Sequence, residues 1–531
     1  MTETVQNRFN LVDEKWIPIA NHGLASLADV FTQPHFTALG GNPVQKIALT
    51  KLLLAIAQTA YTPADDEDWR RLGATGMAEK ALSYLQAKKD CFWLYGAKPF
   101  LQMPKIKSLI DDRKNQGLKK APKGVKAQEV ITDSLPKPIG AGHIPDLPSE
   151  NNTILNYLQV QQLESDAEKA VFLTTLMNFA LGGKRVEKDL PPFSEECISK
   201  TDSAKAGPSI GNHWGYLHSF ICCEKLVQSI WMNLLTEENL KKNAYWTKGL
   251  GKPPWESMPA GEICKTALSL KESYMGCLVG LCRFILLEGT GIYYVEGIQY
   301  PSHKNGWREP SISIAEKANG IELLWVDPNK RPWRFLTSLL TFFSGSTNSG
   351  YDCQQLRIGL NRAKFCGVKK LGLWSGGLKV RANAGDQSAK QDDDYVESEF
   401  FVEPAWLGEE WFLRLKAEMD IMDDMSSTVY KRTVIFYKIQ KASKVHLKKQ
   451  AQQATSLFWQ LAERQFQNLI NACGNKTSET MRPEFAKIAL KAYDTYCPKD
   501  TARQLDAWAA SRPQLGKYFK PNTNPNSSTN S

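Results

Sequence analysis

The sequence predicts an α+β chain in which a large mixed α/β N-terminal body is followed by a C-terminal helical, four-helix-like bundle. Three observations predict it. The 531 residues exceed what one hydrophobic core ordinarily serves. Up to about Pro404, helical and strand-like apolar patterns alternate with stretches rich in Gly, Pro and Asn. Beyond that point glycine and proline become rare as far as residue 472, and apolar residues recur at helical spacing. The expected divisions are 1–404 for the body, 405–520 for the bundle and 521–531 (PNTNPNSSTNS) for a polar disordered tail.

Taken in order, Asn10–Ala20 alternates enough, with Trp16, Ile17 and Ile19, to open the chain as a strand. Pro43–Tyr61 is apolar over a broad face and reads as a buried helix. Lys105–Ser149 gathers Pro, Gly and Lys and reads as a long exposed loop. Ser165-Asp166-Ala167-Glu168 fits a capping box, in which Ser and Glu satisfy the first free N–H groups of a helix. The run Val171–Leu181 continues that helix, and Gly182-Gly183 is expected to stop it. A polar loop, Lys184–Gly211, leads into the apolar stretch Tyr216–Leu235. Leu278–Leu287, Gly291–Val295 and Leu323–Val326 suit strands or short helices, and 375–394, rich in Gly, Asn, Ser and Asp, suits a loop. In the bundle, Ala454, Leu457, Phe458, Leu461, Ala462 and Leu469 share one face.

Apolar residues make up 42% of the chain and charged residues 23%, which excludes collagenous, coiled-coil and wholly disordered classes. Lys plus Arg outnumber Asp plus Glu by 66 to 56, a net charge of +10. That excess is mild, so its distribution decides whether a polyanion is attracted. Met1–Asn10 lacks the basic end and apolar core of a signal peptide. Gly276–Gly289 is short and contains Arg283, so no membrane span is expected. Eleven scattered cysteines without a C-x-x-C pair fit a reducing cytoplasm.

Catalytic patterns are scarce. Gly207-Pro208-Ser209-Ile210-Gly211 fits G-x-S-x-G, but the nucleophile elbow needs a buried strand before it, and Asp202–Ala206 is polar. His213, His218, Cys222 and Cys223 do not match the usual zinc spacings and suit core packing beside Phe220 and Ile221. Asp392-Asp393-Asp394 could in principle hold magnesium, although three acids in a Ser/Lys/Gln loop are more often a solvated surface. No catalytic residue, metal site or cofactor is therefore expected.

Positive charge is concentrated in three places. Residues 105–126 hold Lys105, Lys107, Arg113, Lys114, Lys119, Lys120, Lys123 and Lys126 against Asp111 and Asp112. Lys438, Lys441, Lys444 and Lys448 are three or four apart and would form one stripe on a helix. Such a stripe suits a polyanion or an acidic protein face, or a solvated face partly neutralised by Asp420, Asp423 and Asp424. Gly182-Gly183-Lys184-Arg185 joins two residues without side-chain bulk to two cations, a combination that suits a phosphate backbone or a capped helix end.

Five segments, in order, carry a resemblance: Asn10-Leu11-Val12-Asp13-Glu14-Lys15-Trp16-Ile17-Pro18-Ile19, Lys98-Pro99-Phe100-Leu101-Gln102, Asn178-Phe179-Ala180-Leu181-Gly182-Gly183-Lys184-Arg185, Gly215-Tyr216-Leu217-His218-Ser219-Phe220 and Leu373-Trp374-Ser375-Gly376-Gly377-Leu378-Lys379-Val380. Together they resemble the CasA family, the large subunit of the type I-E CRISPR surveillance complex, Cascade. The resemblance implies a non-catalytic subunit that works beside other Cascade subunits and a guide RNA. Such a subunit recognises the protospacer-adjacent motif of double-stranded target DNA, helps open the duplex and recruits a helicase-nuclease effector. The family's glycine loop falls on Gly182, Gly183, Lys184 and Arg185, with a shorter glycine run here. A groove-contacting lysine corresponds to Lys304 in Ser302-His303-Lys304-Asn305-Gly306. The wedge falls within Lys379 to Gln387, where Lys379 and Arg381 add charge and Asn383 and Gln387 are the polar candidates, although the family's contiguous Asn-Asn-Gln form is absent. Asn151 and Asn152 resemble the segment that reaches toward the guide-end subunits. The residues taken alone leave open a hydrolase using Ser209, a metal-dependent nuclease using Asp392–Asp394, or a scaffold that binds no DNA.

Overall fold

The computed structural model describes residues 6–120, 136–139, 163–179, 215–298, 300–301, 307–318, 320–344, 350–383, 386–389 and 395–519. The chain forms two compact units. One comprises residues up to Pro328 with Cys353–Val368 and Leu373–Ser398; the other comprises Asn329–Asp352, Lys369–Gly372 and Glu399–Ser531. The whole is α+β, with small sheets among helices and successive helices at the C-terminal end.

In the first unit the helix Pro43–Ala60 is nearly all buried, as its apolar run predicts, and Asn42 with Gln45 forms its capping box. The helix Asp66–Ala87 bends at Gly73, whose φ of 64° lies in the left-handed region that suits glycine. Its Trp69 stacks on Trp231 at 4.2 Å with the rings within 3° of parallel. Each indole N–H donates to the other residue's carbonyl, at 2.9 and 3.1 Å. Arg362 lies over Trp69 at 4.6 Å and pairs with Asp66 at 2.7 Å, so the cation is held by an acid and a ring together.

The strand His218–Cys222 belongs to a three-stranded sheet whose order places Leu371–Leu378 between it and Tyr395–Val402. A second sheet pairs Arg283–Glu288 with Gly291–Glu296, and Lys137–Pro138 adds at its edge. The chain opens with two short strands, Arg8–Asn10 and Ile17–Ile19, separated by a turn, where one strand over Asn10–Ala20 was expected.

Three further expectations are corrected. Lys105–Lys120 is a helix, not loop, because Ile106 and Ile110, four apart, are buried on one side despite the surrounding lysines. The helix from Asp166 stops at Asn178, before Gly182-Gly183, with Phe179 as its non-helical cap. Residues 375–394 were expected as loop, yet Leu371–Leu378 is a fully buried strand, and Val380–Asn383 pairs with Asp386–Ala389 as a hairpin. The glycines misled because here they serve packing. A Cβ on Gly376 would stand 2.7 Å from the Trp374 ring, and one on Gly377 would stand 2.9 Å from the Tyr216 carbonyl oxygen.

The second unit contains the helices Glu409–Ile439, Lys444–Glu463, Phe466–Gly474, Arg482–Tyr496 and Ala502–Ser511. Phe436, Tyr493, Cys497 and Ala507 form one buried cluster. Glu418, 3% exposed, receives Arg482 at 2.8 Å and the Ser478 hydroxyl at 3.1 Å, so its charge is matched where it is buried. Gly474 ends its helix against Trp406, and a Cβ there would come within 2.2 Å of the indole. Gly474→Ala is therefore expected to destabilise this unit by about 1–3 kcal/mol through overpacking, read as a lower urea midpoint of its unfolding transition.

Candidate nucleic-acid interface

Three segments that carry the sequence candidates are rooted on one strand, His218–Cys222. The first root is the helix Asp166–Asn178. Ser165 caps it, its Oγ accepting from the Glu168 N–H at 3.1 Å while Glu168 accepts from the Ser165 N–H at 2.9 Å. That backbone bond is the first cause holding the Glu168 carboxyl below its usual range; burial opposes it. At the other end, Asn178 Nδ2 donates to the Leu278 carbonyl at 3.0 Å, and Phe179, 1% exposed, sets its ring edge-on to His218 at 5.6 Å. Gly182, Gly183, Lys184 and Arg185 follow directly in sequence and lie outside the described residues, as do Asn151, Asn152, Ser209 and His213.

The chain is described again from Gly215. The Val326 N–H donates to the Gly215 carbonyl at 2.9 Å, and Tyr216 meets Trp325 edge-on at 4.4 Å. Burial pushes the Tyr216 phenol up to about 12, so it stays protonated. His218 then returns the chain to the Phe179 ring where it left. Both ends of 180–214 are thus fastened at one place.

The second root flanks Lys304, which also lies outside the described residues. Tyr300 and Trp307, on either side of 302–306, are buried against each other with ring centroids 5.7 Å apart. Glu309 pairs with Lys51 at 2.9 Å, and neither side chain is more than 3% exposed. The Ser311 hydroxyl donates to Glu309 Oε1 at 2.8 Å and stands 2.9 Å from His218 Nδ1. Because the Ser311 O–H is committed to the carboxylate, Ser311 Oγ accepts from Nδ1–H, which assigns the His218 tautomer. Burial, with Glu309 adding to it, holds the Tyr274 and Cys277 protons on. His218 is therefore a core residue, with Phe179 on its ring and Ser311 on its nitrogen. Sequence reasoning missed Lys51, although a lysine inside Leu52-Leu53-Leu54 and its neighbours calls for a buried acid.

The third root is Leu371–Leu378, where Ser375 Oγ lies 2.7 Å from Ser219 Oγ. Lys379 is exposed immediately after it. In the hairpin beyond, Arg381 is paired with Ser388, Ala382 with Gln387 and Asn383 with Asp386. Asn383 and Gln387 are therefore not register partners of each other. Asp392, Asp393 and Asp394 lie outside the described residues.

The basic stripe of the second unit is corrected. Lys438, Lys441, Lys444 and Lys448 do not share a helix, because Glu409–Ile439 ends, the chain turns, and a new helix starts at Lys444 with Ser443 as its cap. Lys441 adopts a left-handed φ of 59°, and the Ala442 N–H reaches back to the Tyr437 carbonyl at 3.0 Å. All four lysines are exposed at this corner, and among the described residues none forms an ion pair. Ile439 and Val445, 43% and 80% exposed, lie between them in sequence. The suggested neutralising acids are engaged elsewhere, Asp420 with Lys416 at 3.0 Å and Asp424 with the Tyr518 hydroxyl at 2.7 Å. Asp424 is also about 21 Å down the helix from Lys438, beyond a Debye length.

Among the described residues no three His, Cys, Asp or Glu side chains gather as a metal site, and no helix is long and apolar enough to cross a membrane.

Solved structures share this fold. A chain from a CRISPR RNA-guided surveillance complex superposes with a TM-score of 0.64 at 14% identity, covering 97% of this chain and 100% of that one. CasA (Cse1) of Thermus thermophilus gives 0.66 at 16%, covering 96% and 100%. Cse1 of Acidimicrobium ferrooxidans gives 0.65 at 16%, covering 98% of both chains. At these identities the likeness is one of fold. The family model described as CRISPR-associated protein Cse1 matches residues 10–496, and the chain belongs to that family. No curated protein matches the chain.

The buried pair yields a stability prediction. Lys51→Met leaves Glu309 uncompensated and is expected to cost about 3–5 kcal/mol, while Lys51→Met with Glu309→Leu recovers most of it. The urea midpoints of the three proteins check this.

Proposed function

We propose that the chain is the large, non-catalytic subunit of a type I-E CRISPR Cascade complex and acts in the cytoplasm. It senses the protospacer-adjacent motif of double-stranded target DNA beside the other Cascade subunits and the guide RNA. It helps open the duplex and recruits the helicase-nuclease effector. One observation carries this reading beyond family membership. Phe179, just before Gly182–Arg185, and Ser311, just after Lys304, both touch His218, and Ser375, just before Lys379 to Gln387, touches Ser219. Segments separated in sequence thus start from one rigid place, as a reader of one short stretch of duplex requires.

In this reading Gly182 and Gly183 bring bare main chain to the minor groove, Lys184, Arg185 and Lys304 hold phosphates, and Asn383 or Gln387 enters the stack, supported by Lys379 and Arg381. Asn151 and Asn152 reach the guide-end subunits. The lysine corner at 438–448 meets the displaced strand or a neighbouring subunit.

Two experiments test it on the assembled complex. Gly183→Asp is expected to weaken binding to a motif-bearing duplex by about tenfold or more, and Lys184→Ala to lower the salt slope by roughly one. Unchanged binding in both variants would overturn the groove loop. Reversing Lys441, Lys444 and Lys448 to Glu is expected to lower assembly yield or flatten the salt dependence by up to about three charges; wild-type behaviour in both would remove the corner from the interface.

A further inference from the structure

We propose that a cleft in the helical unit, between Glu409–Ile439 and Lys444–Glu463, is a nucleotide site that takes a nucleoside phosphate, either free or as one residue of a single strand. The cleft holds about 640 Å³, within the usual range for small-molecule sites. Its lining residues all belong to the second unit, and the proposal does not rest on the motif reading.

Helices of a bundle ordinarily meet through apolar positions. Here the walls are polar on both sides at helical spacing: Ser426, Ser427 and Tyr430 on one, Gln452, Thr455 and Ser456 on the other. The same helices carry a normal core elsewhere, with Met422, Met425 and Phe436 buried on one and Ala451 and Phe458 on the other. A space with hydroxyl and amide walls favours a polar occupant over an apolar one.

One wall narrows the chemistry further. The Arg334 guanidinium lies over Trp459, 3.9 Å from the ring centroid, donates to the Asn329 carbonyl at 3.2 Å and stands 4.0 Å from the Asp423 carboxylate. A guanidinium backed by an indole offers its outer face to a flat π-system, as in single-strand recognition. Lys431, exposed at the cleft, suits a phosphate. Asp423 supplies an acceptor for a base N–H; its carboxyl is pushed up by burial, with Arg334 and Lys330 pulling against it. An acidic peptide would satisfy the cations but has no use for the aromatic wall or the carboxylate.

The test uses the full chain with two probes, AMP by calorimetry and fluorescein-labelled (dT)8 by anisotropy. Ser427→Phe and Ser456→Phe fill the cleft from exposed positions and should leave the circular-dichroism melt unchanged. Binding of AMP identifies a free nucleotide, and binding of (dT)8 alone identifies a strand residue. In either case Lys431→Glu should weaken the bound probe about tenfold, and the two phenylalanine variants should abolish it. Failure of both probes to bind wild type, or undiminished binding in the filled variants, would overturn the proposal.

Discussion

Burying one lysine in a helix rich in leucine and alanine governs much of the first unit. An ammonium out of water needs a partner of opposite charge, and Lys51 obtains it from Glu309, 258 residues away in sequence. Glu309 still has acceptor capacity, which Ser311 fills, and Ser311 in turn orders His218. The imidazole then offers its ring to Phe179. Each step satisfies a group that the previous one left open, so the contacts reinforce one another. Its product is positional: strands and loops distant in sequence are brought to one fixed origin.

A fixed origin matters for the kind of recognition that this family's resemblance implies. The minor groove separates A·T from G·C and little else, so a reader of it needs few specific side chains. Unstacking one step costs a few kcal/mol, and guide pairing roughly balances the duplex that it replaces. In the proposed role, small contributions from segments that start at His218 and Ser219 would then decide whether opening begins.

What was legible in the sequence was local. The apolar run 43–60 and the Ser165–Glu168 cap each depend on residues within a few positions, and both appear where expected. Errors arose where one residue type serves two ends. Glycine at 376 and 377 read as loop but exists to let Trp374 and Tyr216 pack. Lysine density hid the Ile106–Ile110 pair, and at 441 a lysine occupies the place where glycine would have announced the helix end. The convergence on His218 was not legible at all, because its contacts join residues such as 218 and 311, 93 positions apart. The site candidates themselves came from the family resemblance; their common root came only from the fold.

The left-handed Lys441 has a consequence of its own. A residue with a Cβ at that angle costs on the order of 1 kcal/mol relative to glycine, which would relax the turn. Yet glycine would also delete a cation from the middle of the corner. Robustness of the fold and density of charge are set against each other at a single position, and the chain has settled in favour of the charge.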